Sequence, residues 1–426
     1  MNIALAILNI LTLIYGLYYL AIGVFGVFKK PYKHPDSPPS KRLAVIIAAR
    51  NEEAVIGQLV KSLREQRYPK SLYEIIVIPN NCSDQTEQQA RNEGARILEC
   101  TVPIRSKGDV LEFAFERLLP ENFDAFLIFD ADNIVDENFM QAANNTLCAG
   151  IQAAQGYRDS KNADQNWVAG CMSMFYWGMC RLYNRARYAI GMSAAFNGTG
   201  FMISAEAVKA LNIRFYTLTE DLELSAQCAL NGIKIGFMED AVTYDEQPEH
   251  HKDSYTQRRR WSAGTVQCLK RYGIDLIRTG IRKRSSHCID MFVVFFGVVM
   301  QCICLVPFIS LAADALIDAI NTPNPLPVIA MFIGNSLLFG LIVSFATGLL
   351  ICLLEGKMNR RRIGAIIGNP IFLLTWGAAN IISLFARPPK WKEIKHTSTR
   401  NPLVEDTSAG KTKKTARKRA VRTTNK

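Results

Sequence analysis

An uncharged apolar run, residues 2–28, opens the chain. At about 1.5 Å rise per residue it predicts a helix long enough to span a bilayer. Lys29, Lys30, Lys33, Lys41 and Arg42 follow it, and this bias places the start of the chain outside and the next domain in the cytoplasm. No charged segment precedes the run and no small-residue cleavage site closes it, so a retained anchor is expected rather than a cleaved signal peptide. After the Pro-rich linker PYKHPDSPPSKR the pattern changes to short apolar runs alternating with amphipathic ones. LAVIIAA (residues 43–49), EIIVIP (74–79), a short run near 96–99 and AFLIFD (125–130) predict strands buried on both faces. The first is followed by a helix opened by Arg50-Asn51-Glu52-Glu53, with apolar positions at Val55, Ile56, Leu59, Val60 and Leu63; another helix is expected from Lys107 to Leu118. A helix start is also expected directly after Asp132. Strand–helix alternation of this kind argues an α/β fold with a doubly wound, mostly parallel sheet that binds ligand at its strand carboxyl ends.

From about 150 to 260 the pattern is less regular. QAAQGYRDSKNADQNW reads as a polar loop, followed by an aromatic helical segment, MSMFYWGMCRLYNRARY. Asn197-Gly198-Thr199-Gly200-Phe201 is a small-residue loop that lets backbone approach a ligand closely. Thr219-Glu220-Asp221 sits at a helix start, with Thr219 as the cap and Gly232 as the stop. From Trp261 to Arg284 apolar residues alternate with Lys and Arg at helical spacing, as in a basic helix lying in a membrane interface. A helix packed on its own domain fits equally. Met291–Ala313 and Val328–Leu354 then predict two spans joined by an external Pro-rich turn, with Lys357, Arg360, Arg361 and Arg362 holding the second inside. If the fourth apolar stretch, Ile363–Ala386, spans, the tail lies outside; if it is re-entrant or interfacial, the tail stays inside near anionic lipid. The pattern favours a span. The expected organisation is an anchor (1–30), a soluble domain (40–262), an interface helix (263–286), a membrane region of three apolar segments (287–386) and a basic tail (387–426).

Charge changes this picture little. The net charge is +12, but residues 387–426 hold thirteen Lys or Arg against three acids, which accounts for ten of the twelve charges. The basicity belongs to the tail, which is expected to be disordered, and nucleic acid is not an expected partner. The eleven cysteines show no CxxC pairs or metal-ligand spacing, so neither a disulfide framework nor a thiolate metal site is expected.

The candidate chemistry centres on Asp130-Ala131-Asp132. In an extended chain the two carboxylates point to one side, and hard oxygen ligands at a strand end suit Mg²⁺ or Mn²⁺, which in turn suit a diphosphate. Asp pairs after strands also serve as turn and cap residues. His250 and His251 read as surface residues, lacking a third ligand at suitable spacing, and Arg258 and Arg259 as facing headgroups or solvent.

Four motifs in order, DAD (130–132), GTGF (198–201), TED (219–221) and QRRRW (257–261), resemble the membrane-embedded processive members of glycosyltransferase family 2: the cellulose, hyaluronan, chitin-oligosaccharide and poly-N-acetylglucosamine synthases. The resemblance covers residues 40–265 by motif. It implies a GT-A fold, a UDP-sugar donor and inverting transfer. It places Asp130 near the nucleotide and Asp132 on the divalent metal, and makes Asp221 the general base. Gln257 and Arg260 would hold the diphosphate, and Lys107 would line the donor site. Glu52 or Glu53 and Asn80 would lie near the nucleoside. Trp261, Glu220, Gly198 and Thr199 would lie with the acceptor. One departure is Asn80, where the family usually has an acid that pairs with the base; an amide oxygen accepts the same hydrogen bond without charge assistance.

The expected function is transfer from a UDP-sugar to a growing β-linked polysaccharide, possible export through the spans and export partners included. Transfer to a membrane lipid is the alternative. A non-catalytic scaffold is a third class, against which Asp130, Asp132, Asp221 and Arg260 speak. A nucleotidyltransferase would need a Gly-rich phosphate loop after the first strand, and IIAARNEE has none.

Overall fold

The computed structural model describes residues 3–389 and 400–403. The expected basic tail therefore lies, beyond these, outside the described residues.

Helix α1 (Ile3–Phe28) precedes strand β1 (Leu43–Ala49) and helix α2 (Ile56–Arg64). Next come β2 (Tyr73–Pro79), α3 (Thr86–Asn92), β3 (Arg96–Ile97), α4 (Lys107–Leu118) and β4 (Ala125–Asp130). β1 pairs in parallel with both β2 and β4, and β2 with β3. Side chains of this sheet feed two apolar layers. Ala44, Ile46, Ile76, Phe126 and Ile128 meet α4 on one face. Leu43, Val45, Val77, Leu127 and Phe129 meet α2 on the other. Burial on both faces is why these strands read as unbroken apolar runs.

After β4 the structure departs from expectation. No helix starts at Asp132; a turn and the short strand β5 (Ile134–Val135) intervene before α5 (Phe139–Cys148), because Ile134 and Val135 pair back onto a later strand. The first half of the stretch read as a polar loop is strand β6 (Ala153–Ser160), buried almost throughout; residues 161–166 are loop as expected. The aromatic helix follows as α6 (Trp167–Gly178), a π-helical turn (Met179–Arg185) and α7 (Ala186–Ala189). Then come β7 (Phe201–Ser204), α8 (Ala205–Leu211), α9 (Glu220–Leu230) and β8 (Ile235–Asp245). The eight strands form one sheet in the order β3-β2-β1-β4-β7-β6-β8-β5, with β7 antiparallel to β4 and β6 and β6 parallel to β8. The register of β6 and β8 shifts at Gly156/Tyr157, where a Cβ on Gly156 would lie 2.5 Å from Ala241 O.

Helix α10 (His251–Lys283) contains QRRRW and runs unbroken past residue 262. The expected domain boundary at 262/263 thus falls inside one helix, since nothing between Arg260 and Gly264 interrupts it. Its apolar side packs within the protein: Cys268 and Leu276 are buried with α9 and with Cys288, Met291 and Phe295 of the next helix, α11 (Ser286–Ile320). α12 (Pro325–Leu354) and α13 (Ile363–Phe385) follow. α1, α11, α12 and the 360–385 segment are each long and apolar enough to cross a membrane.

Candidate active site

Asp130 ends β4, and the turn behind it is locked from within. Thr199 Oγ1 accepts from Asp130 N at 2.9 Å and donates to Asn133 Oδ1. Thr199 is fully buried, so it cannot touch an acceptor; it braces the DAD turn, and its expected acceptor contact is corrected. Asp132 is also buried, its carboxylate accepting from Glu246 N at 3.0 Å and from Asn133 Nδ2 at 3.2 Å.

Lys107 is aimed at this strand end by the start of α4. Ser106 caps that helix in a reciprocal capping box with Asp109, and the next side chain turns inward. Lys107 Nζ donates to Asp130 Oδ1 at 2.5 Å and to Gly198 O at 2.6 Å, and lies 3.6 Å from Glu220 Oε1. Burial alone would lower its pKa, but Asp130, Glu220 and Asp221 raise it above the ordinary lysine value.

Asp221 occupies the first turn of α9, where Thr219 makes no side-chain cap; its hydroxyl lies 3.7 Å from Cys268 Sγ instead. The Asp221 carboxyl is pushed up to about 7, by burial first and by Glu220 next; the Leu222 N–H, Lys107 and Arg260 pull the other way. Gly198 has φ +98°, and a Cβ there would stand 3.6 Å from Asp221 Oδ2 and 3.5 Å from Arg158 Nη1. The positive φ explains the glycine, since these distances alone would admit a Cβ.

These groups line one cavity of about 400 Å³, together with Glu52, Asn80, Gln257, Arg260 and Trp261. Gln257 Oε1 is buried without a partner among the described residues, as are both amide ends of Asn197 on the same wall. Such groups cost free energy unless a ligand completes them. Arg260 Nη1 donates to Leu218 O at 3.1 Å. The Asn80 amide is committed within the protein: Nδ2 donates to Ala49 O at 3.0 Å, and Oδ1 accepts from Arg50 Nε at 2.9 Å. Asn80 therefore ties the ends of β1 and β2 together at the edge of the cavity.

Several lining groups were not anticipated. Arg158 on β6 is buried, donates to Asp245 Oδ2 at 2.6 Å and to Asn197 O at 2.5 Å, and lies 3.7 Å over the Tyr176 ring. The Asp245 carboxyl is pushed up to about 6 by burial; Arg158 offsets this, while Asp132 and Asp130 add to it. Trp376 of α13 joins Phe175, Tyr176 and Trp261 in an aromatic wall, its ring 6.0 Å from that of Trp261. Asn380, also on α13, lines the cavity and accepts from Ser262. Arg258 corrects a further expectation. It faces neither headgroups nor solvent but is fully buried, with Nη1 donating to Phe372 O at 2.7 Å and the guanidinium 4.1 Å over the Phe372 ring. Arg259 is half-buried, and its carbonyl faces Ser383 Oγ of α13. His250 is exposed as expected, whereas His251 is half-buried and stacked on Trp167.

Among the described residues no three His, Cys, Asp or Glu side chains converge into a metal cage. One or two carboxylates are nevertheless what Mg²⁺ or Mn²⁺ requires when substrate phosphates complete its shell. Asp132 and Asp130 add to the burial that raises the Asp245 pKa, so a cation beside these carboxylates would be favoured.

Comparison with known proteins gives three findings. The profile described as Glycosyltransferase like family 2 matches residues 38–264. A protein named "Probable glycosyltransferase YdaM" of Bacillus subtilis is 27% identical over 283 residues, covering 61% of this chain and 64% of that protein. A beta-monoglucosyldiacylglycerol synthase of Trichormus variabilis is 27% identical over 285 residues, 64% of this chain and 59% of that protein. The chain thus spans less than two thirds of the length of these relatives. Among solved structures, a mannosyltransferase from Pyrobaculum calidifontis in complex with GDP-Man and Mn2+ superposes with a TM-score of 0.60 at 18% identity, covering 90% of this chain and 98% of that one. It shares the GT-A fold.

Proposed function

The chain belongs to glycosyltransferase-like family 2, and from that premise we propose that it moves a hexosyl group, with inversion, from a UDP-sugar to a hydroxyl presented at a membrane. The observation that carries this reading is Asp221, a carboxyl poised at about 7 on the wall of a cavity that also holds Asp130, Arg260 and Trp261.

In this reading the diphosphate lies between the end of β4 and the Gln257–Arg260 turn of α10. Asp132, with Asp130, would hold a Mg²⁺ or Mn²⁺ ion, which supplies charge neutralisation to the leaving diphosphate. Arg260 adds a fixed positive charge, and Gln257 Oε1, an acceptor, would take a hydrogen bond from a sugar hydroxyl. Lys107 keeps Asp130 and Glu220 in place. Ionised Asp221 takes the acceptor proton as that oxygen bonds to the anomeric carbon and the diphosphate departs from the opposite face; one carboxylate suffices for inversion. Trp261 offers an apolar face to the acceptor, with Glu220 and Gly198 beside it. Glu52 lies at the nucleoside end. Asn80 acts there by holding the β1 and β2 ends rather than by pairing with the base.

The acceptor we favour is a lipid hydroxyl. A glycolipid synthase stands among the relatives, and one cavity wall is α13, whose outer side is apolar and exposed. A growing β-linked polysaccharide is the second reading, supported by the paired Trp261 and Trp376 rings, which suit stacking on successive sugars. The organisation proposed is an integral membrane protein with its catalytic domain in the cytoplasm, supported by Lys29, Lys30 and Lys33 behind α1 and Arg360–Arg362 behind α12.

The test is nucleoside diphosphate release by purified, lipid-reconstituted protein across UDP- and GDP-sugars, with product partitioned between organic extract and sedimentable polymer. Turnover with a UDP-sugar and extractable product is expected. Sedimentable polymer would select the second reading. Turnover only with a guanosine donor would remove the uracil assignment.

A further inference from the structure

Helix α13 has the length and apolarity of a membrane span, but its surroundings differ from those of α12. On α12 the consecutive residues Leu337, Leu338 and Phe339, then Leu341, Ile342 and Val343, are all exposed, so the helix is apolar in every direction. On α13 the most exposed side chains keep to one side: Ile367 and Leu374, at 61% and 74%, continue the line of Ile363 and Ile371 at helical spacing. The other side is buried, at Ala365, Gly368, Phe372, Ala379, Asn380 and Ser383.

That buried side touches the soluble domain from its first turn to its last. Just ahead of the helix, Arg362 Nε donates to Asp164 Oδ1 at 2.8 Å, while Lys357 Nζ donates to Asp159 Oδ2 at 2.5 Å. A Cβ on Gly170 would stand 2.5 Å from Ala365 Cβ. Arg258 then holds the Phe372 carbonyl, Ser262 bonds Asn380, and Ser383 Oγ reaches Arg259 O at 3.5 Å. Trp376 and Asn380 line the same cavity as Asp221. Both ends of α13 are therefore fixed to the water-accessible domain. A helix of 23 residues is about 34 Å long, close to the roughly 30 Å hydrocarbon core of a bilayer. Crossing the membrane would carry one of those ends to the far side, away from its partners.

We infer that α13 does not cross the bilayer but lies in its surface plane on the catalytic side. The partner is the lipid surface. Ile363, Ile367, Ile371 and Leu374 enter the acyl region, and Arg360, Arg361 and Arg387, all exposed, sit at headgroup level. This replaces the span favoured by the sequence pattern. α1, α11 and α12 are then the crossings, and Pro388 lies on the catalytic side.

The test is side-specific labelling in sealed inverted membrane vesicles with a membrane-impermeant maleimide, read as modified peptides by mass. Cys148, exposed on the catalytic domain, reports that side, and the buried Cys180 and Cys228 stay unlabelled while the domain is folded. Asn324→Cys, in the turn between α11 and α12, reports the other side. The thiol introduced by Pro388→Cys is expected to be labelled together with Cys148 and not with that of Asn324→Cys. Labelling of the Pro388→Cys thiol only when the Asn324→Cys thiol is labelled overturns the inference. Arg387→Cys gives the same readout should Pro388→Cys fail to insert. None of these readouts depends on sugar transfer.

Discussion

Lys107 Nζ lies 2.5 Å from Asp130 Oδ1, at the point where the first helix turn of α4 meets the end of β4. The ammonium also faces Glu220 at 3.6 Å and lowers the Asp221 pKa. Lys107→Met removes the positive charge that several carboxylates share. The acid limb of kcat should move above about 7, with a rate loss at neutral pH of roughly tenfold or more. Lys107→Arg should restore the limb toward wild type. A pH–rate profile for the three proteins checks this.

Asp221 acts as a base only when ionised, and its carboxyl is raised to about 7. Activity should therefore climb as pH rises through neutrality and fall away below it. Asp221→Asn should lose about 10²- to 10⁴-fold in kcat and lose the acid limb of its profile, while donor binding measured by calorimetry changes little.

Removal of divalent metal by a chelator should abolish turnover and weaken donor binding, and added Mn²⁺ or Mg²⁺ should restore both. Asp132→Asn should resist that rescue, since the buried carboxylate is the proposed ligand. Donor titrations with and without metal separate this from misfolding.

Gly264 of α10 stands against Thr219, two residues ahead of Asp221. A Cβ there would meet the Thr219 side chain at 2.5 Å, and a β-branched neighbour cannot swing aside. Gly264→Ala should cost about 1–3 kcal/mol in stability and, by displacing the start of α9, lower kcat more than it raises KM. Thermal unfolding and steady-state kinetics on the same preparation distinguish the two effects.

The strand–helix half of the fold was legible because burial on both sheet faces leaves an unmistakable apolar run, as in LAVIIAA and AFLIFD. Asp130 and Asp221 stand where the pattern placed them, at the end of β4 and in the first turn of α9, whereas Asp132 lies in a turn and not at a helix start. β6 was not legible. Its buried Gln155 and Arg158 mimic a loop in composition, and their partners lie far along the chain: Thr199 and Asn197 for Gln155, Asp245 for Arg158. Arg258 was misread for a related reason. Three consecutive arginines carry no phase, and only a helix running from His251, with α13 laid against it, decides which one turns inward. Thr199 shows the reverse error: a residue inside a recognised motif that serves the scaffold instead of the ligand.

Trp376 and Asn380 line the cavity from α13, late in the chain. During synthesis the donor pocket therefore lacks a wall until these last helical turns have emerged and settled against α6 and α10. A chain truncated before α13 would carry DAD, TED and QRRRW but lack the Trp376 ring that packs on Phe175 and Trp261. On the proposed function, sugar transfer would require α13 to be seated first.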